Sequence, residues 1–120
     1  MARIAVVDDA PEVVKLISEI LEREGHDVVA LADGEGLAGR VEAGGLDLVL
    51  LDVVLPGRNG YQILRDLKKA PATRQVPVVL VSSKTEPTDV EWGRRQGADD
   101  YLTKPFTADD LLSRVRRLAR

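Results

Sequence analysis

Five short apolar runs, each followed by a segment with helical spacing, constrain this chain more than any other feature. The runs are RIAVV (3–7), DVVAL (27–31), LDLVLL (46–51), VPVVLV (76–81) and the weaker DYLT (100–103). They are rich in Val and Leu and lack the strict alternation of a half-exposed strand, so they read as strands buried on both faces. Strands of that kind belong to parallel sheets with helices packed on each side.

The intervening segments supply those helices. Val13, Leu16, Ile17 and Ile20 recur at i, i+3, i+4 and i+7, with Pro11 in a first-turn position and Gly25 placed to end the helix. A second helix is predicted over 35–43, although Gly36 and Gly39 each cost about 1 kcal/mol against alanine. A third covers 60–69, with Tyr61, Leu64 and Leu67 on one side, and a fourth runs from Pro87 to near Gly97. The last opens at TADD: Thr107 can cap it, Asp110 can close a capping box, and Leu111, Leu112, Val115 and Leu118 turn inward.

Strand and helix therefore alternate five times with no repeat, low-complexity tract or linker between them. That pattern predicts a doubly wound α/β fold: one five-stranded parallel sheet with helices on both faces. Right-handed crossovers limit the topology, and the flavodoxin-like order 2-1-3-4-5 is expected, with a ligand crevice at the carboxyl ends of the first and third strands. A single domain over residues 1–120 is expected, without an output domain after the last helix.

Polar residues collect at those carboxyl ends. Asp8 and Asp9 follow the first strand, Asp52 the third, Ser82 and Ser83 the fourth, and Lys104 with Pro105 the fifth. Two unit charges about 5 Å apart repel by roughly 3 kcal/mol at an effective dielectric near 20, so acids gathered there need compensation. A hard divalent cation supplies it, and carboxylates with a backbone carbonyl and waters suit Mg²⁺. Asp8 and Asp9 are thus expected to seat a cation, leaving Asp52 an oxygen free to act as a nucleophile toward phosphorus. Lys104 can balance charge on an incoming phosphoryl group, and the Ser82 hydroxyl can donate to one of its oxygens.

Composition removes the main competitors. Seventeen basic against twenty acidic residues give a net charge of −3, which argues against direct nucleic-acid binding. The basic RVRRLAR terminus reads as a solvated helix end with cations favourably placed. Cysteine is absent and His26 is the single histidine, so thiol nucleophiles, disulfides and Cys- or His-clustered metals are excluded. No run approaches the 18 or so apolar residues of a membrane span, and no secretory leader is evident, so a cytoplasmic location without membrane insertion is expected.

Four motifs in order carry a family resemblance: VVDDAP (6–11), LLDVVLPGRNG (50–60), VPVVLVSS (76–83) and GADDYLTKPF (97–106). Together they resemble the receiver domain of two-component response regulators, from Ile4 to the last helix. The resemblance implies a phosphorylation-dependent switch rather than an enzyme acting on other substrates. Asp52 would accept a phosphoryl group from a phosphohistidine on a sensor histidine kinase or phosphotransfer domain. Mg²⁺ would be required, held by Asp8, Asp9, Asp52 and the backbone carbonyl of Val54. Ser82 and Lys104 would bind the phosphoryl group, and Ser82 and Tyr101 would switch the face formed by the fourth helix, fifth strand and fifth helix for a downstream protein target. The Lys104–Pro105 bond would be cis.

Some positions depart from the common pattern: Asn59 replaces a frequent Asp at a turn, and Ser82 replaces Thr with the hydroxyl kept. Apolar Val54 cannot orient a water by hydrogen bonding, which implies slow loss of the phosphate. The stretch from Ser82 to Phe106 resembles receivers of chemosensory systems that control type IV pilus twitching. Trp92 reads as a packing residue with one wet edge or as a partner anchor. Two other functions compete. A Mg²⁺-dependent phosphatase is disfavoured by the lack of a cap domain or a second acid placed for proton transfer; a degenerate scaffold is disfavoured because no member of the acid, hydroxyl and lysine set is missing.

Overall fold

The computed structural model describes residues 1–84 and 86–119, so Thr85 in the SSKTEP stretch and Arg120 of RVRRLAR lie outside the described residues. The elements are β1 (Arg3–Val7), α1 (Pro11–Arg23), β2 (Asp27–Leu31), α2 (Leu37–Glu42), β3 (Leu48–Asp52), α3 (Gly60–Lys69), β4 (Val78–Ser82), α4 (Pro87–Arg95), β5 (Asp100–Thr103) and α5 (Ala108–Leu118). All neighbouring strands pair in parallel, in the order β2-β1-β3-β4-β5. The predicted flavodoxin-like sheet is the one observed.

Alternate residues of each strand enter two separate cores. Ala5, Val7, Val49, Leu51, Val78 and Leu80 meet Leu37 and Val41 of α2 and Ile63, Leu64 and Leu67 of α3. Ile4, Val6, Leu48, Leu50, Val79 and Val81 meet Ile17 and Leu21 of α1 and Leu111, Leu112 and Val115 of α5. Both faces of β1, β3 and β4 are covered, which is why these runs show no alternation in sequence; β2, expected to be buried in the same way, is instead an edge strand whose residues are all exposed or only partly buried. Each buried Leu or Val stabilises the fold by roughly 1.5–3 kcal/mol relative to exposure.

Several expected boundaries shift for local reasons. β4 begins at Val78 rather than 76 because Pro77 has no amide hydrogen to give the ladder, although its carbonyl accepts from Val49 at 3.0 Å. β3 begins at Leu48 rather than 46. Asp47 instead joins β1 through its side chain, which accepts from the Arg3 amide at 2.9 Å. α2 is shorter than 35–43 because its N-cap, Gly36, has φ +80°, a left-handed conformation that no helix interior contains. α4 stops at Arg95.

Leu16, grouped by spacing with Val13, Ile17 and Ile20, is 49% exposed. An α-helix turns about 100° per residue, so Leu16 lies at the edge of the stripe centred on Ile17, with Val13 and Leu21 each about 40° from its centre. The capping box of α5 is present, with the Thr107 hydroxyl accepting from Asp110 N at 3.0 Å. Among the described residues, no helix is long and apolar enough to cross a membrane.

Candidate functional site

Strand register alone brings the polar residues together. Val7 pairs with Leu51, which sets Asp8 level with Asp52; Asp52 pairs with Val81, one residue before Ser82; Ser82 pairs with Thr103, one residue before Lys104. Because all strands run the same way, these positions share one rim of the sheet. The Lys104 amide donates to the Ser82 carbonyl at 2.8 Å, extending the β4–β5 pairing into the site.

Asp8 is buried, and local bonds fix its backbone and side chain. Its amide donates to Leu31 O at 3.0 Å, and its Oδ1 accepts from the Ala10 amide at 2.9 Å, at the start of α1. Asp9 is exposed beside it. Asp52 is 7% exposed, and its Oδ1 accepts from the Val54 amide at 3.3 Å. The loop after Asp52 is folded tightly back, with the Gly60 amide donating to Val53 O at 2.7 Å. A Cβ at Gly60 would collide with the Asp52 carbonyl oxygen, so only glycine fits there. Asn59 caps α3, its Oδ1 accepting from Gln62 N at 3.0 Å. The turn position expected for it is thus also a helix cap.

One carboxylate oxygen from each of Asp8, Asp9 and Asp52 lies within 4.8 Å of the others. Two oxygens across a single Mg²⁺ span roughly 4.2 Å, so this donor set, all hard oxygen, fits the ion in chemistry and nearly in spacing. Val54 is exposed and its amide faces Asp52. Lys104 completes the cluster: its Nζ is 2.8 Å from Asp8 Oδ2 and 3.7 Å from Asp52 Oδ2. Burial is the main influence on the Asp52 carboxyl and raises it above its ordinary value; Lys104 opposes this, and Asp8 adds to it. Desolvation therefore outweighs the lysine, leaving an unmet demand for positive charge.

The hydroxyl and the aromatic complete the set. Ser82 is fully buried and its Oγ accepts from the Lys84 amide at 3.1 Å, whereas the adjacent Ser83 is exposed. Tyr101 is 5% exposed and its hydroxyl donates to Lys84 O at 2.9 Å. The Lys104–Pro105 bond is cis. A groove of about 460 Å³ between residues 33–39 and 56–58 is lined by none of these side chains; the cluster occupies the open rim instead.

Tyr61 was anticipated only as a packing residue of α3, and the structure gives its hydroxyl a partner on α4, Asp89 O at 3.3 Å. Counting apolar periodicity treats an aromatic as a hydrophobe and misses its polar end.

Comparison with known proteins follows the same lines. Residues 4–116 match the response regulator receiver domain family. The chain is 43% identical over 118 residues to Protein PilH of Pseudomonas aeruginosa, covering 96% of this chain and 95% of that one. This agrees with the likeness to pilus-associated receivers drawn from Ser82–Phe106. It is also 41% identical to the transcriptional regulatory protein TcrA of Mycobacterium tuberculosis, of which it spans 46%. Among solved structures, the BeF3-activated DrrB receiver domain is 36% identical with a TM-score of 0.86, covering 98% of this chain and 97% of the other. The receiver domain of a Pseudomonas aeruginosa sensor histidine kinase, with a magnesium ion coordinated in its active-site cleft, is 29% identical with a TM-score of 0.88, covering 98% and 96%.

Proposed function

This chain belongs to the response regulator receiver family, and from that premise we propose that Asp52 receives a phosphoryl group from a phosphohistidine on a sensor histidine kinase or phosphotransfer domain. Receivers act as phosphorylation-dependent switches, not as enzymes in the ordinary sense. In the reading offered here, the chemistry of this chain is limited to gaining and losing its own phosphate.

An Asp52 carboxylate oxygen attacks phosphorus, the phosphorus–nitrogen bond of the donor breaks, and its electron pair returns to the imidazole ring. An acyl phosphate on Asp52 results. Asp8, Asp9, Asp52 and the Val54 carbonyl would hold Mg²⁺, which would supply charge neutralisation to the acids and the phosphoryl oxygens. Lys104, now 2.8 Å from Asp8 Oδ2, turns to a phosphoryl oxygen. Ser82 keeps its own O–H to donate to another. Catalysis is positioning and charge stabilisation, as is general for phosphoryl transfer.

Output runs through Ser82 and Tyr101. The inward, buried Tyr101 held on the Lys84 carbonyl fits the state in which α4, β5 and α5 present their signalling face. Trp92 on α4 is 48% exposed beside Pro87, Thr88, Glu91 and Arg95, which suits a protein partner more than nucleic acid. Phosphorylation shifts the population between two arrangements of this face.

The observation that carries this reading is the convergence of three carboxylates within 4.8 Å with a lysine ammonium against two of them. Incubation with acetyl phosphate and Mg²⁺, followed by intact-mass spectrometry, tests it. One phosphoryl adduct on the wild type and none on Asp52→Asn is expected. An unmodified wild type would mean a scaffold, and turnover of added phosphoesters would mean a phosphatase.

A further inference from the structure

Two tyrosine hydroxyls bond to backbone carbonyls near the start of α4, those of Lys84 and Asp89. Tyr101 donates to Lys84 O at 2.9 Å, and Tyr61 donates to Asp89 O at 3.3 Å. Asp89 lies in the first turn of α4, whose N-cap residue, Glu86, makes no side-chain cap bond among the described residues. A helix start without a cap leaves its first turn weakly held.

The acceptor site reaches Tyr61 by a short path through one backbone hydrogen bond. Tyr61 follows Gly60, whose amide is bonded to Val53 O at 2.7 Å and whose missing Cβ lets the chain pass against Asp52. Tyr61 also packs against the same core as Tyr101 and Val90 of α4. α4 rests on the switch ring, since a Cβ on Gly93 would lie 2.8 Å from Leu80 Cδ1 and 3.1 Å from Tyr101 Cδ2. Burial first, and the neighbouring Tyr101 hydroxyl second, push the Tyr61 phenol well above its ordinary value, so it stays a proton donor at working pH.

We propose that Tyr61 is a positioning residue for signal output: a second hydroxyl latch, beside Tyr101, that ties the Asp52 loop directly to the first turn of α4. The proposal rests on the receiver reading. It gives phosphorylation two routes to the output face, one through Ser82 and Tyr101 and one through Gly60 and Tyr61. A neutral hydrogen bond contributes about 1 kcal/mol, or roughly a 5-fold change in an equilibrium, so loss of this one weakens the latched state by about that factor.

The sequence contains two tyrosines and one tryptophan, so ring NMR signals of Tyr61 and Tyr101 and the fluorescence of Trp92 can each be followed alone. Wild type, Tyr61→Phe and Tyr101→Phe are titrated with beryllofluoride in Mg²⁺. The latch predicts that Tyr61→Phe raises the titration midpoint roughly 5-fold and moves the Tyr101 ring signal toward a solvent-exposed value before ligand is added. In the wild type, it predicts that both tyrosine signals shift with one midpoint, a reading that needs no variant to fold. A responsive wild type whose Tyr61 signal stays fixed, or a Tyr61→Phe titration identical to wild type, overturns the latch alone. A wild type indifferent to beryllofluoride overturns both the latch and the receiver reading.

Discussion

The ammonium of Lys104 lies 2.8 Å from Asp8 Oδ2, although the two residues are 96 apart in sequence. Parallel register creates this contact, carrying β5 to the same rim as β1. Asp8 is 3% exposed at its side chain, and a carboxylate so buried is costly unless paired. Replacing Lys104 with Met removes the partner of both Asp8 and the incoming phosphoryl group. The initial rate of acetyl phosphate labelling, followed by intact mass, is expected to fall roughly 10²-fold or more, the usual loss on removing one charge-stabilising donor.

Asp52 gives a pH signature. Burial chiefly raises its carboxyl above the usual 3.8, so the folded state holds this proton more tightly than the unfolded chain does. The stabilising effect of protonation is present at acid pH and is lost as pH rises from 3.8 through the raised folded value. Asp52→Asn should therefore melt higher than wild type at pH 7 in chelator, and the gap should close as pH falls through that window. A melting difference independent of pH contradicts it. Added Mg²⁺ narrows the gap at pH 7, because only the carboxylate form binds the ion.

Gly60→Ala places a methyl group against the Asp52 carbonyl and 2.7 Å from Val53 Cα. The β3–α3 loop must move, at a cost of about 1–3 kcal/mol by analogy with overpacked cores. Chemical denaturation is expected to show that loss together with reduced phosphoryl labelling. Unchanged stability would mean that the loop is free to shift.

Val54 is 58% exposed at the site's edge, with no polar atom on its side chain. It cannot orient an attacking water, so the phosphorylated protein should be long-lived, and Val54→Asn should shorten its lifetime several-fold. Equal decay rates by mass spectrometry refute this role.

Much of this molecule was legible because its constraints are local or periodic. The runs at 3–7, 46–51 and 76–81 mark buried strands, whereas DVVAL, with the same composition, forms the edge strand β2 with no buried residue; Asp8, Asp52, Ser82 and Lys104 could be placed because register follows from strand order. The failures are equally specific. Pro77 reads as apolar and strand-like but cannot donate to the ladder. Leu16 matches the helical spacing yet sits on the edge of a stripe whose centre only the packing against the sheet defines. Asn59 holds the loop position expected of it, and its further role as the cap of α3 was not read. The bond from Tyr61 to Asp89 joins two helices through a polar atom on an apolar ring, and no one-dimensional pattern encodes it.

The central claim is that Asp8, Asp9 and Asp52 tolerate one another at the sheet rim by sharing one divalent cation. Calorimetric titration with MgCl₂ at pH 7 measures that directly. One ion per wild-type chain is predicted, with uptake lost in Asp8→Asn and in Asp52→Asn. Absence of binding by the wild type, or undiminished binding by both variants, would contradict it.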